Sequence, residues 1–104
     1  MSLRNKIKSA MKEAMKEKAQ LRLSTLRLIS AAIKDRDIAA RSEGVEDGVD
    51  DTEILAILGK MTRQRQESAK TYEEAGRLDM SEREISEIQV IDYCLPLQED
   101  SDET

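Results

Sequence analysis

Two rows of cations are the residues of this chain with the clearest chemistry to offer. Arg4, Lys8, Lys12 and Lys16 recur every four positions, and Arg27, Lys34 and Arg41 recur every seven. On an α-helix, at about 100° per residue, either spacing keeps its side chains on the polar side. Like charges four residues apart repel by about 0.2–0.5 kcal/mol a pair, and folding gains nothing from that repulsion. What such rows supply is attraction for a polyanion, either phosphate or an acidic protein surface. The alternative is an ordinary solvated face, its charge offset by Glu13, Glu17, Asp35, Asp37 and the acidic segment after Ser42. No aromatic is interleaved for base stacking, so contact with nucleic acid through these rows is contact with its backbone. The candidate nucleic-acid-binding residues are Lys8, Lys12, Lys16, Arg27, Lys34 and Arg41.

Covalent chemistry finds little support. The chain has no His, hence no Ser–His or Cys–His pair and no imidazole acid or base. Its one cysteine, Cys94, follows Tyr93 near a helix end among acidic neighbours, which do not lower a thiol pKa; it reads as a packing residue. The GVEDG segment lacks the Lys of a phosphate loop and is acidic. The acids between Glu43 and Glu53 do not follow calcium-loop spacing and read as a solvated loop that also serves a helix N-terminus. No catalytic residue, metal site or cofactor is expected. Further on, Arg63–Glu67 and Lys70–Glu74 are opposite charges at four-residue spacing, an ordinary exposed face. Arg65 differs: it sits at the edge of an apolar face between Met61 and Ser68, where a snorkelling or ion-paired structural role fits it better than ligand binding.

The elements that must position these groups follow from composition and periodicity. At 104 residues the chain makes one domain. With two Tyr and no Phe or Trp, the core must come from Leu, Ile, Met and Ala, the material of helices. Residues 1–41 carry 11 Lys/Arg against 4 Asp/Glu, whereas residues 78–104 carry 1 against 9. The net charge of −5 therefore hides a basic half, although it argues against a general nucleic-acid binder. A single cysteine, no signal-peptide pattern and no apolar run near the roughly 20 residues of a membrane span read as a cytoplasmic chain.

Ser2 caps a predicted helix near 3–17, with Leu3, Ile7, Met11, Ala14 and Met15 at three- and four-residue spacing. Lys16–Gln20 holds no Gly or Pro, so the chain either kinks there or runs on. A second helix spans about 20–41, and Leu21, Leu26, Leu28, Ile29, Ala32, Ile33, Ala39 and Ala40 give it an apolar sector wide enough for two neighbours. The acidic, glycine-bearing segment from Ser42 to Val49 reads as a mobile loop. Asp50 and Glu53 form an acidic capping box opening a third helix that runs to about Ala75, with Ile54, Ile57, Leu58, Met61, Ser68, Tyr72 and Ala75 on one face. Gly76 is the expected left-handed C-cap. Ser81 and Glu84 form a second box, opening a helix with Ile85, Ile88, Ile91 and Leu95 inward that Pro96 stops. Residues 97–104 read as an acidic disordered tail. The expectation is an all-α fold of three or four helices in an orthogonal or bundle arrangement.

Two strings, Arg22–Lys34 (RLSTLRLISAAIK) and Lys60–Gly76 (KMTRQRQESAKTYEEAG), carry a resemblance, joined by the opening amphipathic helix, the Ala75-Gly76-Arg77 turn and the run from Glu84 to Leu95-Pro96. Together they resemble the GatB/YqeY family, small helical proteins similar to the tail of the B subunit of the glutamine-dependent aminoacyl-tRNA amidotransferase. The likeness covers residues 3–96 and implies a YqeY-like helical domain over 1–96. Relatives often carry an acidic capping residue at the position of Ala19, and usually continue past the Leu-Pro turn into a second, smaller helical subdomain, which is not expected in the eight residues after Pro96. The resemblance implies a noncatalytic accessory module with weak tRNA binding, its label of carbon–nitrogen ligase with glutamine as amide donor inherited from a larger complex. The alternative is a protein-interaction module using the same basic helices without RNA. A protein partner or a second copy of the chain remains open under either, and a membrane is not expected.

Overall fold

The computed structural model describes residues 2–95, in which four helices run in order: α1 (Leu3–Lys16), α2 (Gln20–Ser42), α3 (Asp51–Glu74) and α4 (Leu78–Cys94). The all-α expectation holds. The proposed acidic tail, 97–104, lies outside the described residues.

The turns explain the architecture. Each of the first three helices ends in a Schellman motif. After α1, Lys18 N–H donates to Met15 O (3.2 Å) and Ala19 N–H to Ala14 O (2.9 Å). After α2, Gly44 bonds Arg41 and Val45 bonds Ala40; after α3, Gly76 bonds Glu73 and Arg77 bonds Tyr72. The motif requires a left-handed residue one past the cap. Gly76 supplies it at φ 76°, as the sequence predicts, whereas the α1–α2 turn uses Lys18 at φ 55°. The break without Gly or Pro is therefore a real turn, formed at the cost of a side chain in left-handed backbone.

Caps fix the helix starts. Ser2 Oγ accepts from Asn5 N–H at 3.1 Å and Asp50 Oδ1 from Glu53 N–H at 3.0 Å, both as expected. α2 begins at Ala19 and Gln20 with no side-chain cap. The start of α4 is corrected: it begins at Leu78, so Ser81 lies inside the helix and is 6% exposed rather than capping it. The Gly76 turn returns the chain to helix without a loop, and burying the small Ser81 outweighs using it as a cap.

One core joins all four helices: Leu3, Ile7, Ala10 and Ala14 of α1; Leu26, Ile29 and Ile33 of α2; Ile54, Leu58 and Met61 of α3; Ile91 and Cys94 of α4. α2 packs against the other three helices, which accounts for its wide sector, although Leu28 is half exposed. Met15, Ala75 and Ile85 were expected inward and are exposed. Met15 and Ile85 each sit one position beyond a buried or half-buried residue (Ala14, Glu84), and Ala75 has become the C-cap of α3.

Candidate nucleic-acid interface

The two basic rows meet on the α1–α2 hairpin. Its helices are antiparallel, because Arg4 reaches Asp37 and Met11 reaches Ser30: seven residues up α1 match seven down α2. Arg4 Nη1 donates to Asp37 Oδ2 at 2.9 Å, Nη2 donates to Oδ1 at 3.1 Å, and Nη2 also donates to Val49 O at 2.8 Å. Asp37 Oδ1 accepts in addition from Val49 N–H at 2.9 Å. Gly48 is required beside this knot: its φ is +83° and an added Cβ would stand 2.5 Å from Asp37 Oδ1. The Arg4 hydrogen bond, then the Val49 N–H, pull the Asp37 carboxyl pKa down to about 2 against the opposing effect of burial. The Asp37 hydrogen bond raises the Arg4 pKa in turn. Arg4 therefore leaves the basic row of α1 and ties α1, α2 and the loop before α3 together. Sequence spacing cannot reveal a partner 33 residues away.

Beside this knot, Lys8 of α1 and Lys34 of α2 line one small cavity of about 150 Å³ with Ile7, Ser30 and Ile33. Helical geometry places the rest. Lys34 and Arg41 each lie about 40° of rotation from an α2 residue that touches α1, Ser30 and Asp37 respectively, and Arg27 lies about 60° from Ser30. The α2 row thus runs along the flank facing α1, and Lys8, about 40° around from Arg4, faces it. Lys12 and Lys16 drift a further 40° each, so Lys16 lies on the back of α1, away from the groove. Arg27 to Arg41 spans fourteen residues, about 21 Å along the axis. The row is a ridge rather than a pocket. Lys8, Lys34, Arg27 and Arg41 come together on one face; Lys12 sits at its edge and Lys16 outside it.

All six side chains are exposed, and among the described residues none has a carboxylate within 4.0 Å. Three of the acids expected to offset them are engaged elsewhere or turned away. Asp37 is held by Arg4, Glu17 pairs with Arg22 at 2.9 Å, and Glu13 points about 140° of rotation from Lys8. The expected Arg63–Glu67 and Lys70–Glu74 pairs do not close to within 4.0 Å. Long exposed side chains gain too little from pairing in water to hold that geometry. The acids nonetheless share the Arg63 and Lys70 face, which the α1–α2 ridge avoids.

Arg65 and Lys6 are structural. Arg65 Nε donates to Glu87 Oε1 at 2.9 Å, with side-chain exposures of 14% and 12%, and Nη1 donates to Met61 O. Lys6, which the sequence did not single out, donates to Leu95 O at 3.0 Å, closing the C-terminal end of α4, and stands 5.9 Å from the Tyr93 ring centroid. Burial pushes the Cys94 thiol pKa up, with Lys6 opposing, and its sulfur is out of solvent. Among the described residues no cluster of three His, Cys, Asp or Glu could hold a metal, and no helix is long and apolar enough to cross a membrane.

Comparison with known proteins decides the family. A profile described as "Yqey-like protein" matches residues 4–104. The chain belongs to the YqeY-like family. Curated relatives include the "Altered inheritance of mitochondria protein 41, mitochondrial" of Clavispora lusitaniae, 31% identical over 90 residues, covering 86% of this chain and 49% of that protein. The protein of the same name from Lachancea thermotolerans is 32% identical over 85 residues, 82% of this chain and 43% of its own. That from Kluyveromyces lactis is 27% identical over 86 residues, covering 83% and 44%. This YqeY-like chain spans less than half the length of these relatives.

Proposed function

We propose that this YqeY-like chain is a noncatalytic accessory module that holds RNA, tRNA in the first instance, by its phosphate backbone along the α1–α2 ridge. The observation that carries the reading is the convergence of Lys8, Arg27, Lys34 and Arg41 from two helices on one face, with no carboxylate within 4.0 Å among the described residues. A ridge about 21 Å long suits several successive phosphates rather than one small anion. The resemblance to the tail of the amidotransferase B subunit supports tRNA as the RNA. The chain offers no group for glutamine hydrolysis or ATP-dependent activation: it has no His, and its cysteine is buried with a raised pKa. The carbon–nitrogen ligase label is read as belonging to a complex.

The second reading, an interaction module docking an acidic protein on the same ridge, is favoured by the overall charge of −5, which opposes RNA at long range. A pull-down of the chain with and without ribonuclease separates the two. Loss of bound material on nuclease treatment supports RNA; retention of a protein partner supports docking. A reducing compartment, the cytoplasm in the simplest case, fits the single buried cysteine. The relatives' names place those proteins in mitochondria, and imaging of the tagged chain in its own cell decides between the two.

A further inference from the structure

A second cavity lies between the first turn of α2 and α4, with a volume of about 650 Å³. That size is within the range of small-molecule sites, roughly 300–1,000 Å³. Leu21 and Val90 supply apolar surface, Gln20 and Gln89 side-chain amides, Tyr93 an aromatic ring and Arg22 a guanidinium. Among the described residues no Asp or Glu lines it. Tyr93 is 58% exposed although aromatic, and Lys6 Nζ stands over its ring, 5.9 Å from the centroid. Arg22 gives one nitrogen, Nη1, to Glu17; its other guanidinium nitrogens donate to no protein atom among the described residues.

We propose that this cleft binds an unpaired nucleotide, with the base stacked on Tyr93, the base edge against Gln20 and Gln89, and the phosphate at Arg22. The combination decides the class of ligand. Stacking on an exposed aromatic ring is how proteins hold bases that are out of a helix, and amides can donate to and accept from a base edge. A wall without Asp or Glu among the described residues, and the guanidinium nitrogens of Arg22 that Glu17 does not take, admit the phosphate. An apolar peptide would use the ring and the Leu21–Val90 floor but would leave two amides and an arginine without partners. The biological setting rests on the RNA reading above: the ridge takes the backbone and the cleft a flipped or terminal nucleotide. The chemistry of the cleft does not depend on the ridge.

The test is titration of the ¹⁵N-labelled full chain with adenosine monophosphate, with ribose 5-phosphate and a short blunt RNA duplex as separate arms. The expected result is saturable amide shifts at Gln20–Arg22 and Ser86–Tyr93 with the nucleotide, and much weaker ones with the sugar phosphate. Tyr93→Leu should weaken nucleotide binding about tenfold, in line with the loss of one stacked base, and leave duplex binding unchanged. Equal responses to both small ligands, shifts confined to the Lys8–Lys34 face, or no saturable shift would overturn the cleft. So would the same residues shifting with protein concentration alone, which would assign the surface to contact between copies. Duplex binding lost with nucleotide shifts retained sinks the ridge and keeps the cleft; the reverse sinks the cleft alone.

Discussion

Lys18→Gly should stabilise this protein, although it replaces a lysine with a residue poorly suited to helices. Lys18 occupies the left-handed position of the Schellman turn after α1, where the turns after α2 and α3 have Gly44 and Gly76. Left-handed backbone costs a residue with a Cβ about 1–2 kcal/mol. Glycine removes that strain but gives back about 0.5–1 kcal/mol through the larger entropy of the unfolded chain. Lys18 is exposed and makes no ion pair among the described residues, so no side-chain interaction offsets the gain. The net is a stabilisation of about 0.5–1 kcal/mol, a rise in Tm of roughly 2–6 °C for a domain of this size. Lys18→Ala is the control, since it removes the side chain but keeps the strain, and should change little. Gly76→Ala is the converse. A Cβ there meets nothing within 4 Å, so its cost, about 1 kcal/mol, comes from φ alone. Thermal and urea unfolding of the three variants measure all of this. If Lys18→Gly is destabilising, or Lys18→Ala stabilises as much as Lys18→Gly, the turn is not limited by backbone strain and the argument fails.

Other outcomes follow from the ion pairs and the thiol. Asp37 has a folded pKa below its ordinary 3.8, so its contribution is complete above that pH and is lost as pH falls towards about 2. Asp37→Asn should therefore cost about 1–2 kcal/mol at pH 7, reduced by the partial exposure of Arg4, and flatten the acid limb of stability between pH 4 and 2; an unchanged limb would show that the pair contributes nothing. Arg65→Ala should lose about 2 kcal/mol, short of a fully buried pair because Arg83 still reaches Glu87 at 3.5 Å; a stable Arg65→Ala variant that loses RNA binding would move Arg65 into the site. Cys94 should react with a maleimide only at the rate of unfolding, and rapid labelling in native buffer would contradict its burial.

What the sequence made legible was local. The Ser2 and Asp50 caps, the Gly76 turn and the inward faces of α1 and α3 depend on residues within four positions of one another, where side-chain chemistry and helical periodicity suffice. The exceptions were decided by tertiary packing. Ser81 has the chemistry of a cap, but α4 had already begun and had a use for its small volume. The turn at Lys18 carries no signal in residue type, because the pairing of α1 with α2 imposes it. In the candidate site, the cations were visible as two separate rows. Their meeting on one ridge, the withdrawal of Arg4 to Asp37 and the isolation of Lys16 on the back of α1 depend on the register between two helices, which spacing within either cannot fix.

The central claim is that the α1–α2 ridge, and not net charge, holds RNA. The direct measurement is the affinity of the full chain for tRNA across a salt series, for the parent, for Arg27→Glu with Lys34→Glu, and for Arg63→Glu with Lys70→Glu, with circular dichroism to establish that each is folded. The parent should bind weakly, with affinity falling on a log–log slope of about 3–5 as that many phosphates release their counterions. The ridge variant should lose binding and flatten the slope by roughly 2, the number of cations reversed. The α3 variant should do neither, since its cations already share their face with Glu67 and Glu74. Equal losses from the two pairs, or no binding of tRNA by the parent at low salt, would contradict the account.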